Sequence, residues 1–259
     1  MMTKMIKLKT KEEIEIMKVG GQRHAEILGA LSEMVAPGVS TLALEEEAER
    51  LIKENGDEAS FLGYTPAGAP RAYPAALCVS INQEIVHGIP NEDSRIIRDG
   101  DIVSLDLGLT HRGLITDAAI TVPAGTIDDE STKLLWVTKM ALEEGIKEAK
   151  PGNFIGDISQ AIYEVVRQSG FSLAEDLAGH GVGYSVHEDP FVPNVGMRGD
   201  GEELVPGMVI AIEPMVNVGK SGIKVMKDGY TIRTKDGSRS AHFEHTVAIT
   251  EKGHIILTS

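Results

Sequence analysis

Five side chains, far apart in the chain, carry the residue types from which a metal centre could be built. Asp106 and Asp117 lie in the apolar, strand-like stretch Ser104–Ile120, interrupted by Thr110-His-Arg-Gly113. If that interruption is a tight hairpin, antiparallel register predicts Asp106 directly opposite Asp117, with Cβ atoms about 4.5–5.5 Å apart. Like charges so placed need a shared proton, a basic neighbour or a cation, and the strands hold no lysine or arginine. Taken alone, the pair is equally compatible with one aspartate facing solvent or bonding a turn. His180 stands between glycines in Ala178-Gly-His-Gly-Val-Gly183, Glu213 closes the apolar run Met208–Ile212, and Glu244 precedes the strand-like run His245–Ile249. Each has an ordinary structural reading by itself. Together, four carboxylates and one imidazole suit a pair of divalent first-row ions, whose charge of +4 they neutralise, whereas a structural zinc site would use cysteine. The chemistry implied is hydrolysis, with a water made nucleophilic at neutral pH and a polarised carbonyl. His87 and His187 are either loop histidines without a role or donors beside such a centre.

These residues need elements to hold them. From Lys11 the pattern predicts an amphipathic helix, with Thr10 and Glu13 as a capping box, a stripe of Ile14, Met17, Ala25, Leu28 and Leu31, and Pro37-Gly38 as its stop. A second helix follows, with Ser40 or Thr41 as cap, Leu44, Ala48, Leu51 and Ile52 on one face, and Gly56 as terminator. Pro151-Gly152 and Gly170 repeat Pro37-Gly38 and Gly56 at an offset of 114 residues, again with a helical stretch before and after the Pro-Gly pair. Each copy leads into strands: Ala76–Ile81, Ile102–Leu107 and Leu114–Val122 after the first, and Met208–Ile212, His245–Ile249 and Ile255–Leu257 after the second. Paired helices followed by grouped strands predict an α+β fold with a central antiparallel sheet and duplicated halves, roughly 1–125 and 126–259, in one domain spanning 1–259. A site between the halves would draw on both.

Composition narrows the function classes. With 25 basic against 39 acidic residues and a net charge of −14, a general binder of nucleic acid or anionic membrane is excluded. Cys78 is the one cysteine, so no internal disulfide forms, and neither a signal peptide nor a run of transmembrane length is present. The cytoplasm is the expected compartment. Lys220–Arg239 runs against this average, with six basic residues against Asp228 and Asp236. A solvated hairpin is the plain reading, and contact with ribosomal RNA is the alternative.

Val86-His-Gly-Ile-Pro90, Asp101-Ile-Val-Ser-Leu-Asp106 with Asp117, Gly179-His-Gly-Val-Gly183 with His187, Ile212-Glu-Pro-Met215 and Ser240-Ala-His-Phe-Glu-His-Thr246 together resemble type I methionine aminopeptidases over nearly the whole chain. The resemblance implies the pita-bread fold, a pseudo-twofold α+β architecture. It implies two divalent ions (Co, Mn, Fe or Zn) on Asp106, Asp117, His180, Glu213 and Glu244, bridged by Asp117 and Glu244. It gives His87 and His187 roles at the scissile amide and the tetrahedral intermediate, and Glu213 a role as base. The implied substrates are nascent polypeptide N-termini with methionine before a small residue, cleaved by a cytoplasmic monomer without a preceding extension. Tyr64, Tyr73 and Cys78 match a methionine pocket. Departures from the family pattern are Phe61 where cysteine is common, Val186 where phenylalanine stands, Tyr230 near the usual tryptophan, Gly108 in place of a threonine, and a long loop from Tyr64 to Tyr73. These leave strict methionine selectivity open against a relaxed pocket. A proline-directed peptidase of the same fold and a non-catalytic binding relative are the rivals; the short chain and the Ser240–His245 segment disfavour the first, and the complete ligand set disfavours the second.

Overall fold

The computed structural model describes residues 6–66 and 68–259. Helix α1 (Lys11–Met34) begins at the expected capping box: the Thr10 hydroxyl accepts from the Glu13 N–H, and Glu13 accepts from the Thr10 N–H at 2.8 Å. Its buried face differs from the predicted stripe. Gly20, Gly21, His24 and Ile27 face inward and Ala25 only partly, because the helix lies so close to the sheet that a Cβ on Gly20 would meet the His111 Cβ at 2.7 Å and one on Gly21 the Leu257 carbonyl oxygen at 2.1 Å. Small residues therefore form the contact that a search for large apolar residues passes over. Helix α2 (Thr41–Glu54) is capped by Ser40, whose hydroxyl accepts from the Ala43 N–H at 3.1 Å. Helices α3 (Asp129–Glu148) and α4 (Ile155–Ser169) repeat the arrangement, the latter ending at Gly170 in a left-handed conformation.

The strands form two principal antiparallel sheets, which meet at the centre as the α+β reading expects. The first joins Leu77–Ile81, Ile102–His111 and Leu114–Pro123, with the short strand Glu58–Ala59 at its edge. The second runs in the order Gly253–Ile256, His245–Thr250, Val209–Ile212, Ala178–Gly181, Glu188–Pro193. Each is covered by its own helices: α1 and α2 pack on Val103, Leu105, Leu107 and Leu109 in one core, and α3 and α4 on Ile210, Ile212, Val247 and Ile249 in another. Strand alternation then turns Ser104, Asp106 and Gly108 to the face away from α1 and α2, so an almost wholly buried strand carries one apolar and one chemical face.

The hairpin register differs from the expected one by two residues. His111 pairs with Leu114 around a two-residue turn at Arg112 and Gly113, which have φ 52° and 81°. Positive φ at both central positions is the geometry that suits the twist of a hairpin, and glycine supplies it without strain. Asp106 consequently pairs with Ala119, and Asp117 with Gly108. The aspartates share a face as diagonal, not direct, neighbours.

The two sheets meet along this strand. Ala119 and Glu244 form an antiparallel bridge, with the Glu244 N–H donating to Ala119 at 2.9 Å. On either side the backbones stand too far apart for such bonds, and threonine hydroxyls span the gap. Thr246 accepts from the Asp117 N–H at 2.8 Å and donates to the Asp117 carbonyl at 2.7 Å. Thr121 accepts from the His242 N–H at 2.9 Å and donates to the His242 carbonyl at 2.7 Å. The three rungs, 117 with 246, 119 with 244 and 121 with 242, keep one register.

Lys220–Arg239 is no free hairpin. Ile223–Val225 pairs with Ile232–Thr234, which pairs in turn with Glu84–Val86. Arg233 bonds the buried Glu84 at 2.6 Å, and Arg239 reaches Asp128 at 3.1 Å and the Gly100 carbonyl at 3.0 Å. Two of the six basic groups are thereby committed within the fold, while Lys220, Lys224, Lys227 and Lys235 are exposed.

Candidate active site

The inter-sheet register explains why the candidate ligands converge. Asp106, Ala119 and Glu244 form one row across three neighbouring backbones, with Asp117 one step along the same face. His245 pairs with Ile212, so continuing that register sets Glu244 across from Glu213. His180 arrives from the next strand, where a Cβ on Gly179 would lie 2.2 Å from the Ala211 carbonyl oxygen; only glycine lets the backbone come so near. His180 Nε2 is 3.4 Å from Glu213 Oε1 and 3.9 Å from Asp117 Oδ2. Its Nδ1 faces the Gly181 carbonyl at 2.9 Å, which fixes the proton on Nδ1 and leaves Nε2 as a free donor atom.

All twelve residues singled out from sequence line one cleft of about 540 Å³. At its deep end Asp106, Asp117, His180, Glu213 and Glu244 gather, and Asp117, His180 and Glu244 present ligand atoms all within 4.8 Å of one another. Among the described residues, Asp106 Oδ1, Asp117 Oδ1 and Glu244 Oε1 are buried without a hydrogen-bond partner, and no lysine or arginine lines the cleft. Burial pushes Asp106 up to about 7, and burial with the neighbouring carboxylates holds Asp117 and Glu244 well above their ordinary range. Glu213 moves the other way: burial would raise it, but the imidazoles of His242, His180 and His187 together prevail. Orphaned carboxylate oxygens gathered beside an imidazole nitrogen fit a divalent cation, one of the options that sequence allowed.

His242 was not among the residues singled out, although it completes a second group with Glu213 and Glu244. Its signal was its position two residues before Glu244, on the same face of an extended segment.

His87 and His187 flank the deep end. His87 has φ 60°, a left-handed conformation uncommon for a side-chain-bearing residue, and the next residue explains why the chain turns there: Gly88 packs against Val79, and its carbonyl accepts from the Val79 N–H at 2.8 Å. Burial holds the His87 imidazole down to about 4, and partial burial beside His180 does the same for His187. The His187 loop is tied at its base by Glu188, which accepts from Lys9 at 2.6 Å and from the Ser185 N–H at 2.8 Å. The His180 and His187 rings meet edge to face at 4.5 Å, and the Tyr64 hydroxyl lies 2.9 Å from His187 Nδ1.

The outer wall is apolar. Tyr73 and Tyr230 pack edge to face at 5.0 Å with Cys78, Ile89 and Phe61 around them, and Val186 is buried alongside. Two departures from the family pattern turn out to be one. A Cβ on Gly108 would stand 2.6 Å from the Phe61 ring, so the aromatic residue occupies the room a threonine side chain would need. The Tyr64–Tyr73 loop closes on itself through the Tyr73 N–H to the Tyr64 carbonyl at 2.8 Å, and the Tyr230 hydroxyl holds the Arg71 carbonyl at 2.5 Å.

The profile of Metallopeptidase family M24 matches residues 15–251. A methionine aminopeptidase of Aquifex aeolicus is 47% identical over 257 residues, covering 98% of both chains. The crystal structure of methionine aminopeptidase from Thermotoga maritima superposes with a TM-score of 0.94 at 43% identity, over 98% of this chain and 100% of that one. A prolidase from Pyrococcus horikoshii shares the fold alone, with a TM-score of 0.75 at 23% identity over 97% of this chain and 63% of that one.

Proposed function

Since the chain belongs to metallopeptidase family M24 and, within it, to the methionine aminopeptidases, with their α+β pita-bread fold, we propose that its cleft removes N-terminal methionine from polypeptides whose second residue is small. The observation that carries this reading is the division of one cleft into an end with orphaned, buried carboxylate oxygens and an apolar wall of Phe61, Tyr73, Cys78, Val186 and Tyr230. Asp106, Asp117, His180, Glu213 and Glu244 would hold two divalent ions. When bound, such ions supply water activation at neutral pH and polarisation of the carbonyl.

The protein's own groups do the rest. Phe61, Tyr73, Cys78, Val186 and Tyr230 receive the methionine side chain, and Tyr64 stands at the mouth. At neutral pH His87 and His187 are uncharged, so each carries one N–H. The Tyr64 hydroxyl, held protonated by its partial burial, donates to His187 Nδ1 and so leaves the His187 proton on Nε2, free to donate to the substrate carbonyl. His87 donates to the scissile amide. Glu213, the one carboxylate here shifted toward its ionised form, accepts and returns the proton.

We read 1–259 as a single domain of two pseudo-repeat halves, acting as a cytoplasmic monomer; no helix among the described residues is long and apolar enough to cross a membrane. Exposed Lys220, Lys224 and Lys227 would contact ribosomal RNA, and neutralising all three should reduce ribosome co-sedimentation at low salt without altering peptide turnover. The deciding experiment compares peptides beginning Met-Ala and Leu-Ala with protein reconstituted in manganese or cobalt. Strong preference for methionine supports the reading; comparable leucine release means a relaxed pocket, and no release from metal-loaded protein favours a binding role.

A further inference from the structure

His242 lies in the strand Ser240–His242, 1% exposed, and neither ring nitrogen has a hydrogen-bond partner. A buried imidazole without a well-aligned hydrogen bond is uncommon, since its nitrogens forfeit hydration. The ring is aimed at carboxylates: Nε2 is 3.3 Å from Glu213 Oε2 and 3.9 Å from Glu244 Oε2. Ligand atoms around one first-row ion at about 2.1 Å stand roughly 3–4.2 Å from one another, so both separations suit joint coordination. The same relation holds on the other side of Glu213, whose Oε1 is 3.4 Å from His180 Nε2. The Glu213 carboxylate thus faces one imidazole with each oxygen, and Glu244 belongs to both groups.

We propose that His242 is a sixth metal ligand, which with Glu213 and Glu244 gives the centre two imidazoles where the expected set has one. This rests on the metal-centre reading above. A second nitrogen donor moves the preference away from manganese and magnesium toward zinc, cobalt and ferrous iron. The main-chain rung from His242 to Thr121 fixes the strand independently of the side chain, so the imidazole can be replaced without unlocking the register.

The test loads wild type and His242→Gln with cobalt(II) and records proton NMR in water and in deuterium oxide. Every cobalt-bound imidazole contributes one strongly shifted, exchangeable N–H resonance. Two such resonances in wild type and one in His242→Gln, with cobalt dissociation constants raised at least ~10-fold in the variant and those for manganese raised less, is the expected result. One resonance in both proteins, with unchanged cobalt affinity, overturns the assignment while leaving the metal centre in place. No retained cobalt and no shifted resonance in wild type overturns both readings. The wild-type spectrum decides even if the variant fails to fold.

Discussion

The floor and the wall of the cleft are built by different means. The floor is sheet: each carboxylate is placed by strand register, and three rungs between the halves leave each little freedom to drift. The wall is loop and side chain: Tyr73 and Tyr230 meet edge to face with Phe61 packed beside them, Tyr64 meets the His187 ring, and a few backbone bonds close the loop. Reactivity is therefore written into the pairing of strands, and selectivity into packing that can change while the pairing stays.

The largest effect should come from the floor. Glu244→Gln removes the carboxylate common to both ligand groups and should lower methionine release by more than ~100-fold, beyond the usual cost of an outer partner, with loss of bound metal by elemental analysis. Near-normal turnover would break the contrast at once. Next, at the seam between floor and wall, Gly108→Thr drives a side chain into the Phe61 ring and should cost about 1–3 kcal/mol in urea denaturation. Phe61→Cys in the same chain should recover most of that, and a purely additive double variant would mean that the two departures are unrelated. In the wall itself, Val186→Phe should raise the methionine-to-leucine ratio of kcat/KM by up to about tenfold while leaving metal content unchanged, since hydrophobic pockets discriminate by about 1–3 kcal/mol.

The smallest effect on activity lies outside the cleft, on helix α1, which supports the floor. Burial holds the His24 imidazole down to about 3 against an ordinary 6.5, so the folded protein keeps it neutral. Below 6.5 the unfolded chain takes up a proton that the fold does not. Its contribution is complete above about pH 6.5 and is lost as pH falls toward 3. In His24→Leu the dependence of unfolding free energy on pH between 6 and 4 should flatten by up to one proton, about 1.4 kcal/mol per pH unit; parallel curves would show that His24 is protonated within the fold.

Much of the floor could be read before any coordinates. Helix caps, the 114-residue recurrence and the main strands follow from local pattern, and the candidate ligands stand out because acidic residues rarely end buried runs. What sequence could not give was pairing across distance. Whether Asp106 faces Asp117 or Ala119 depends on which two residues make the turn, and the choice between 111–112 and 112–113 rests on a positive φ at Arg112 that few residues advertise. The contact of Phe61 with Gly108 was invisible because its two members are unremarkable apart. His242 carries no signal of its own, since a single histidine in strand-like sequence is ordinarily structural, although strand alternation turns it the same way as Glu244.

The threonine-framed rungs also set a schedule. The residues they join are 121 and 129 positions apart, so this part of the molecule closes a long loop and belongs among the late steps of folding. While the chain is being made, the aspartates of the first half emerge long before the strand that carries Glu244 and Thr246. A protein that trims the beginnings of other chains thus acquires its own working centre only when nearly its whole length is free to fold.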